Sequence, residues 1–235
     1  YKALLHAKKE DPKESVGVLL NIKGKQQYYP CGNLSTYSHQ CFILDPEDYV
    51  KADNKGEISA VVHSHPITPP IPSQADKIGC EDSGLPWYIV NPKTEQWAYL
   101  EPCGYKPPIL GRQWVWGITD CWALVRDWYR EEKKIDLMKG VRPLCPVEFV
   151  NNPMSEKHGD GHNFLQQAGF RLLNPDEKLN NGDVLLMSIF AKGLNHAAIF
   201  IDGDVLHHLT DRLSCIEPYS EWLQKCTGGK YRYAS

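Results

Sequence analysis

Runs of apolar residues predict the secondary structure of the first half of the chain. Residues 15–20 read SVGVLL and residues 58–65 read ISAVVHSH, and short apolar runs of this kind are typical of buried strands. Asp45 followed by Pro46 predicts the start of a helix, because aspartate caps a first turn and proline suits the first helical position. Residues 86–101 read PWYIVNPKTEQWAYLE, which predicts a hairpin.

The second half begins with a helical pattern and continues with strands. From Cys121 to about Ile135, apolar residues recur at intervals of three and four, which predicts an amphipathic helix. Asp120 precedes this pattern and is a good N-cap. Predicted strands follow at residues 183–190, 196–201 and 205–209.

Proline and glycine are concentrated between the two halves. The segment LEPCGYKPPILGR begins at Leu100, and its composition is typical of a connector between domains. The chain has 235 residues, which exceeds the usual single domain of about 100 to 150. We therefore expect two different α+β domains, with residues 1–103 in the first, a linker at 104–111 and residues 112–235 in the second.

Composition and charge exclude some classes of partner. The net charge is −3 and there is no basic stripe to neutralise phosphates, so nucleic acid is not expected as a partner. The longest apolar runs are far shorter than the roughly 18 residues of a membrane-spanning helix, so we expect no membrane insertion. No secretory leader is visible, but the sequence begins at Tyr1 and not Met, so it does not decide between export and retention.

The eight cysteines are scattered and include no CxxC pair, which favours reduced thiols in a cytoplasm over a disulfide framework. Apart from Cys121, we expect each of them to be a small buried hydrophobic residue. These residues are Cys31, Cys41, Cys80, Cys103, Cys145, Cys215 and Cys226.

The end of the strand ISAVVHSH is a candidate zinc site. Side chains two apart on a strand share a face, so His63 and His65 can point their imidazoles at one place. After a proline-rich loop, Ser73 is a plausible N-cap that sets Asp76 in a first helical turn, where it can supply a third ligand. Two histidines and one aspartate leave zinc's fourth position open, as in catalytic sites. Glu14 is the candidate general base.

Each part of this pattern also has an ordinary explanation, since an HxH pair can lie on a surface and Ser73 with Asp76 can form a capping box. The full set resembles the JAMM/MPN metalloproteases: a Glu, then HSHP, then a Ser after seven intervening residues, and an Asp three further on. The resemblance covers roughly residues 1–103. It implies Zn²⁺ bound by His63, His65 and Asp76, with Glu14 as general acid and base, and Ser73 helping to stabilise an oxyanion.

Cys121 is a candidate nucleophile. At the first turn of a helix, the dipole and the free backbone N–H groups favour thiolate over thiol. The alternative is one more buried cysteine on an amphipathic helix, which would be preferred if no base could be named. His196, at the start of the predicted strand HAAIFI, supplies that base.

A third residue of this site is expected on the next strand. Asp202 and Gly203 can form a two-residue hairpin turn, and in that register Ala198 lies opposite His207. His207 then shares a sheet face with His196, which favours it as the orienting group. A change of one residue in the turn would give that role to His208.

These residues resemble the NlpC family of papain-like cell-wall endopeptidases. The family pattern has an aromatic residue, a Gly after two residues, then Asp-Cys on a helix, a His that opens a strand and a polar residue on the next strand. Trp114, Gly117 and Asp120 fit this pattern together with the three candidates. The resemblance covers about residues 111–235. It implies cleavage of γ-D-glutamyl to diamino-acid bonds in peptidoglycan stem peptides, with Cys121 as nucleophile and His196 as base.

The order of the two domains, with the segments LGRQWVWGITDCWALVRDWYR and LHHLTDRLS, resembles the tail assembly protein K family of long-tailed bacteriophages. This resemblance implies a tail-tip protein with a zinc-dependent (iso)peptidase site and a cysteine peptidase site. It also implies tail-tip proteins as partners, and a location in the host cytoplasm during assembly and at the tail tip of the virion.

Two alternatives remain open at this point. The chain could be a structural component of tail assembly in which one or both sites are inactive. It could also be a cellular isopeptidase acting on ubiquitin-like tags, which the short first domain and the attached thiol domain disfavour.

Overall fold

The computed structural model describes residues 1–138 and 161–234 and divides the chain into two compact units, residues 1–106 and 107–235. Each unit has its own sheet and its own hydrophobic core. The predicted fold of two α+β domains is confirmed. In the described ranges, no helix is both long and apolar enough to cross a membrane.

Residues 1–106 form a mixed sheet with the strand order β2-β1-β3-β4-β5. Its elements are α1 (Lys2–Glu10), β1 (Val16–Ile22), β2 (Lys25–Cys31), α2 (Pro46–Asp53), β3 (Glu57–Ser64), α3 (Gln74–Ser83), β4 (Trp87–Val90) and β5 (Trp97–Leu100). β3 and β4 pair in parallel, and the other neighbouring strands that pair are antiparallel. Because parallel strands need a crossover, α3 lies in the connection between β3 and β4.

Local sequence signals explain much of this unit. Asp45 caps α2 as predicted, because its Oδ1 accepts a hydrogen bond of 2.8 Å from the backbone N–H of Glu47. The predicted strands and the β4–β5 hairpin are also present. Alternate residues of β1 point into the core, where they pack with Trp87 of β4 and with the buried Cys80 of α3.

The described part of residues 107–235 is built around a sheet with the strand order β10-β9-β8-β7-β11-β6. Its elements are α4 (Cys121–Trp128), α5 (Gly161–Gln167), β6 (Phe170–Leu172), β7 (Val184–Met187), β8 (His196–Ile201), β9 (Asp204–His207), β10 (Cys215–Pro218), α6 (Glu221–Cys226) and β11 (Thr227–Tyr233). The pairs are antiparallel.

The central strands of this sheet are covered on both faces. Val184 and Leu186 of β7 pack in one core cluster with the apolar stripe of α4. Leu185 and Met187 alternate to the other face, where their cluster includes Leu223 of α6. Burial on both faces explains why β7 reads as a continuous apolar run.

The α-helix that begins at Cys121 is shorter than the predicted helix, which extends to about Ile135. The α-helix ends at Trp128 and continues as a π-helical turn over Tyr129–Lys133. Lys134 then adopts a left-handed conformation with φ 60°, which ends the helix. The hydroxyl of Tyr129 donates a 2.6 Å hydrogen bond to the carbonyl of Gly182, which ties this turn to the sheet.

The prediction that seven cysteines are buried is correct for only some of them. Cys31 and Cys80 are buried, and Cys103 is exposed because it follows β5 in the connecting segment, where there is no core to cover it. Those of intermediate exposure are Cys41, Cys215 and Cys226. No disulfide joins the cysteines in the described ranges, and Cys145 lies outside those ranges.

Candidate active sites

Three buried side chains of the first unit converge on one point. The Nε2 atoms of His63 and His65 are 3.1 Å apart. The Asp76 carboxylate lies 3.2 Å from Nε2 of His63 and 3.3 Å from Nε2 of His65. One ligand atom from each residue falls within a span of 4.8 Å. Two imidazoles and a carboxylate are ligands that zinc prefers, so this donor set fits the ion that the sequence predicts.

The topology brings these residues together at the carboxyl end of a parallel strand. His63 lies near the end of β3, and the backbone N–H of His65 still bonds to the carbonyl of Val90 at the end of β4. Asn91 donates to the carbonyls of His65 and Thr68, each at 2.9 Å, and so fixes the loop that follows β3. The loop then enters α3, which carries Asp76 in its first turn.

Hydrogen bonding orients the ring of His65. Its Nδ1 is 3.2 Å from the carbonyl oxygen of Pro69, which can only accept a hydrogen bond. With Nδ1–H as donor, the lone pair of Nε2 faces the other two ligands, and backbone carbonyls orient metal-binding histidines in the same manner. The ring of His63 lies in an apolar setting, with its centroid 4.8 Å from that of Phe42 and 5.4 Å from that of Trp87.

The electrostatics of the cluster reflect burial and mutual charge. Burial opposes ionisation of Asp76, but hydrogen bonds and charge from the two histidines hold its pKa well below the usual range. Burial lowers the pKa of His63 despite the nearby carboxylate. For His65, burial also lowers the pKa, but Asp76 outweighs it and the net shift is upward. The carboxylate is therefore charged, as a metal ligand must be.

Glu14 lies beside His65 because of the register between β1 and β3. Val16 pairs with His63, and the backbone N–H of Ser64 bonds to the carbonyl of Ser15. One further step along this ladder brings Glu14 to the end of β3. The Glu14 side chain is buried, and burial raises the pKa of its carboxyl to about 8. A group with a pKa this close to neutral can exchange protons at physiological pH.

Ser73 forms the capping box that was the alternative explanation for this residue. Its Oγ accepts from the backbone N–H of Asp76 at 3.1 Å, and the Asp76 carboxylate accepts from the backbone N–H of Ser73 at 2.7 Å. The cap therefore also orients the third member of the cluster. The part of Ser73 in stabilising an oxyanion stays a prediction.

Cys121 is the first residue of α4, as predicted, and is half-buried. The buried carboxylate of Asp120 accepts from the backbone N–H of Ala123 at 3.0 Å and from that of Gly117 at 2.9 Å. Gly117 has a φ of 74°, which a residue with a side chain rarely adopts. Asp120 therefore caps the helix and also closes the loop before it, so the thiol is held at a helix N-terminus.

His196 and His207 lie together at one end of the second sheet. The predicted hairpin between β8 and β9 is confirmed, with Ile199 paired to Leu206, and Asp202 and Gly203 in the turn with φ of 50° and 93°. The ring centroids of His196 and His207 are 5.4 Å apart, in an edge-to-face arrangement. Nε2 of His196 is buried and has no hydrogen-bond partner in the described ranges.

His208 has different surroundings. The ring is fully buried, and its Nε2 lies 3.1 Å from the carbonyl oxygen of Arg212. The ring also interacts with the backbone of Thr119. His208 follows the last residue of β9, so strand alternation does not fix its direction, and its surroundings are given by its contacts with Arg212 and Thr119. The contacts between this histidine cluster and the loop before Cys121 therefore involve His208.

Sequence reasoning did not identify Glu217 and Arg112, two residues of this unit that contact other residues of interest. Nε2 of His207 lies 2.7 Å from Oε1 of Glu217, on the neighbouring strand β10. Arg112 is fully buried, with Nη1 2.7 Å from Oδ2 of Asp127 and a backbone N–H that donates to Oγ of Ser214. Neither stands in a local motif, and their partners are distant along the chain or across a sheet, so no sequence signal could have found them.

The buried histidines predict a loss of stability in acid. Burial, then the neighbouring His207 and His208, lower the pKa of His196 to about 3 from the usual value of about 6.5. Between those values the unfolded chain binds a proton that the folded chain does not, so stability is complete above about pH 6.5 and decreases toward pH 3. We expect the dependence to be shallower by up to about 1.4 kcal/mol per pH unit in His196→Asn. Denaturant unfolding of the full chain between pH 7.5 and 4.5 measures it, and parallel curves for the two proteins would contradict the prediction.

Comparisons with known proteins agree with both halves of this description. Residues 2–100 match the family of prokaryotic homologs of the JAB domain, and residues 111–232 match the NlpC/P60 family. Fold and sites thus define a protein with a JAB domain followed by an NlpC/P60 domain, a combination that points to peptidase or hydrolase activity. This chain belongs to the tail tip assembly protein K family of bacteriophages.

Two relatives of that name establish the family. The tail tip assembly protein K of Escherichia phage N15 is 35% identical over 235 residues, covering 98% of this chain and 92% of the relative. Its counterpart in Escherichia phage lambda is 33% identical over 196 residues, covering 81% of this chain and 89% of the relative. A desampylase of Pyrococcus furiosus is 38% identical over 64 residues, which is 25% of this chain and 46% of that protein.

Proposed function

We propose that this protein is a tail-tip hydrolase with two independent sites, one in each unit. The C-terminal unit cleaves peptidoglycan stem peptides by thiol chemistry, and the N-terminal unit hydrolyses a peptide or isopeptide bond with the help of zinc. The convergence of three buried ligand atoms within 4.8 Å carries the second part of the proposal. The first part is supported by the match to the NlpC/P60 family and by the position of Cys121 at a capped helix N-terminus.

In the proposed thiol reaction, the Cys121 sulfur attacks the carbonyl carbon of the scissile amide. His196 accepts the thiol proton as the bond between sulfur and carbon forms, which gives a tetrahedral intermediate. The bond between carbon and nitrogen then breaks, and the imidazolium of His196 gives that proton to the departing amine, which leaves an acyl-enzyme on Cys121. Water then attacks the acyl-enzyme while neutral His196 accepts its proton. The bond between carbon and sulfur breaks, the carboxylic acid departs, and the imidazolium returns the proton to the sulfur of Cys121. Burial, then the neighbouring His207 and His208, lower the pKa of His196, so its ring is neutral at pH 7.

His207 and His208 are proposed to act on different parts of this site. His207 contacts the His196 ring and is in turn 2.7 Å from Glu217, so it can orient the base. His208 contacts the backbone of Thr119 and so can position the loop before Cys121. Residues that orient a catalytic imidazole through direct contact are a recurring part of such sites.

Replacing each histidine separately distinguishes these roles. We expect His207→Gln to lower kcat roughly 10- to 100-fold and to change the pH profile, because its charge is the largest contribution to the His196 pKa after burial. We expect His208→Gln to lower the midpoint of thermal unfolding as well, since it removes buried contacts to two backbone segments. Kinetics as a function of pH, together with thermal unfolding, make the comparison. A larger change of the pH profile in His208→Gln would transfer the orienting role to that residue.

In the N-terminal unit, His63, His65 and Asp76 would hold the zinc ion. When bound in a site with an open position, zinc lowers the pKa of water and polarises a carbonyl. Glu14 is proposed to take a proton during attack and to deliver it to the departing amine, for which its buried carboxyl with a pKa of about 8 is suited. Ser73 is proposed to donate its hydroxyl hydrogen to the developing oxyanion while its oxygen caps α3.

The proposed setting is tail assembly, in the host cytoplasm or at the tip of the virion, with other tail-tip proteins as partners. Another tail component would then be the substrate of the N-terminal unit. Digestion of purified sacculi with the purified chain tests the C-terminal activity, and mass spectrometry of the released fragments identifies the bond. If no stem-peptide bond is cleaved, the proposed peptidoglycan substrate is wrong.

A further inference from the structure

Two neighbouring aromatic side chains on the surface of the C-terminal unit are exposed to solvent. Phe190 is 90% exposed and Trp222 is 45% exposed, although both are large apolar residues. Their ring centroids are 5.7 Å apart and their planes are inclined by 38°. Single exposed apolar residues are common on protein surfaces, but a pair of neighbouring rings from separate elements forms a small apolar surface. We call Phe190 and Trp222 the aromatic platform.

The backbone holds the aromatic platform in place. Phe190 has a φ of 52°, a region that bulky residues rarely adopt and that persists only where the surroundings enforce it. The preceding residue, Ile189, is buried and exchanges hydrogen bonds of 2.8 and 2.9 Å with the Asn195 side chain. The backbone N–H of Ser188 bonds to the carbonyl of Cys226 in α6, the helix that carries Trp222. Both rings are therefore displayed on anchored segments.

The aromatic platform lies at the same end of the sheet as the two histidines. Phe190 belongs to the loop that joins β7 to β8, and Met187 at the end of β7 pairs with His196 at the start of β8. His207 is the last residue of β9, which runs antiparallel to β8.

We propose that the aromatic platform binds a sugar ring of the glycan strand to which a stem peptide is attached. This inference rests on the proposed peptidoglycan substrate, in which every stem peptide is joined to a sugar. The face of an aromatic ring is electronegative, so it attracts the polarised C–H groups on one face of a pyranose while the hydroxyls stay hydrated. Two rings match the size of one or two sugars, whereas a stable protein interface needs roughly 800 Å² from each partner.

The test compares two substrates that differ only in the sugar. One is a muropeptide that carries the disaccharide and a tetrapeptide, and the other is the same tetrapeptide without sugar. We expect Phe190→Ala and Trp222→Ala each to lower kcat/KM for the muropeptide about tenfold and to change kcat/KM for the free peptide less than twofold. Trp97→Ala is the matched control, because Trp97 has the same 45% exposure and lies in the N-terminal unit.

Equal losses of kcat/KM on both substrates would overturn the proposal, because the rings would then contact the peptide. Unchanged kcat/KM on both substrates would also overturn it. If the wild-type chain cleaves neither substrate, the proposed function fails separately, and binding of the disaccharide alone, measured by isothermal titration calorimetry, still decides the inference. Binding by wild type that is lost in Trp222→Ala supports it. Disaccharide binding that is absent, or equal in both proteins, overturns it. Failed tail assembly by variants that bind the disaccharide normally would assign the aromatic platform to a protein partner instead.

Discussion

Cys121→Ala is expected to abolish the release of stem-peptide fragments from purified sacculi. Removing the nucleophile of a covalent mechanism eliminates the acyl-enzyme route, so kcat is expected to decrease roughly 10⁴-fold or more. The backbone hydrogen bonds of the Asp120 cap do not depend on the thiol. Cys121 packs against the core as one small, half-buried side chain, and alanine replaces most of its volume, so the fold is expected to be retained. Chromatography and mass spectrometry of soluble muropeptides measure the rate, and circular dichroism checks the fold.

Cys103→Ala is the matched control for this experiment. Cys103 is exposed and lies in the other unit, so its removal is expected to leave the rate unchanged within twofold. Activity that survives in Cys121→Ala at the wild-type level would exclude this residue as the nucleophile. If a phage that carries both Cys121→Ala and Glu14→Gln assembles and infects normally, the protein has a structural role in the tail and its catalytic sites are dispensable.

Asp76→Asn and His63→Ala are each expected to eliminate tight zinc binding. The wild-type chain is expected to bind about one zinc ion, because three buried donor atoms with an open position make one tetrahedral site. Loss of residues that merely orient a ligand weakens metal binding about 10- to 100-fold, so loss of a ligand is expected to weaken it by at least about 100-fold. Metal analysis after dialysis and titration with a zinc-sensitive dye measure this change.

Asp76→Asn removes the negative charge but keeps the capping hydrogen bond, because the amide oxygen can still accept from the backbone N–H of Ser73. His39→Ala is the matched control, because His39 is an exposed histidine of the same unit. Zinc at 1,000 times its Kd is expected to stabilise the wild-type chain by about 4 kcal/mol and the two ligand variants far less. Full retention of zinc by Asp76→Asn and His63→Ala would refute this ligand set.

The secondary structure was predictable where the local pattern was strong. β1, β3 and β7 are apolar runs buried in the cores, and the caps at Asp45 and Asp120 are local side-chain hydrogen bonds. The strands β2 and β11 read KQQYYPC and TGGKYRY, which are polar or glycine-rich and contain no run of apolar residues that would mark a buried strand. β2 exists because β1 pairs with it, and β11 because it pairs with both β7 and β6.

The candidate sites show the same division. His63 and His65 lie two apart on one strand, so their convergence follows from local geometry. The pairing of His207 with Glu217 depends on the register between β9 and β10. The aromatic platform joins a loop to a helix about thirty residues away, and no motif marks either ring.

The sequence by itself determined the two-domain organisation, the principal buried strands, the helix caps and the residue types that could bind zinc or act as a thiol nucleophile. These properties depend on neighbouring residues, whose side-chain directions follow from strand and helix periodicity. Only the tertiary structure decided that Glu14 lies beside His65, that His196 contacts His207, and that His208 is held against the loop before Cys121. Strand register and packing between distant segments set these contacts, because each depends on the whole sheet and not on the residues near it in the chain.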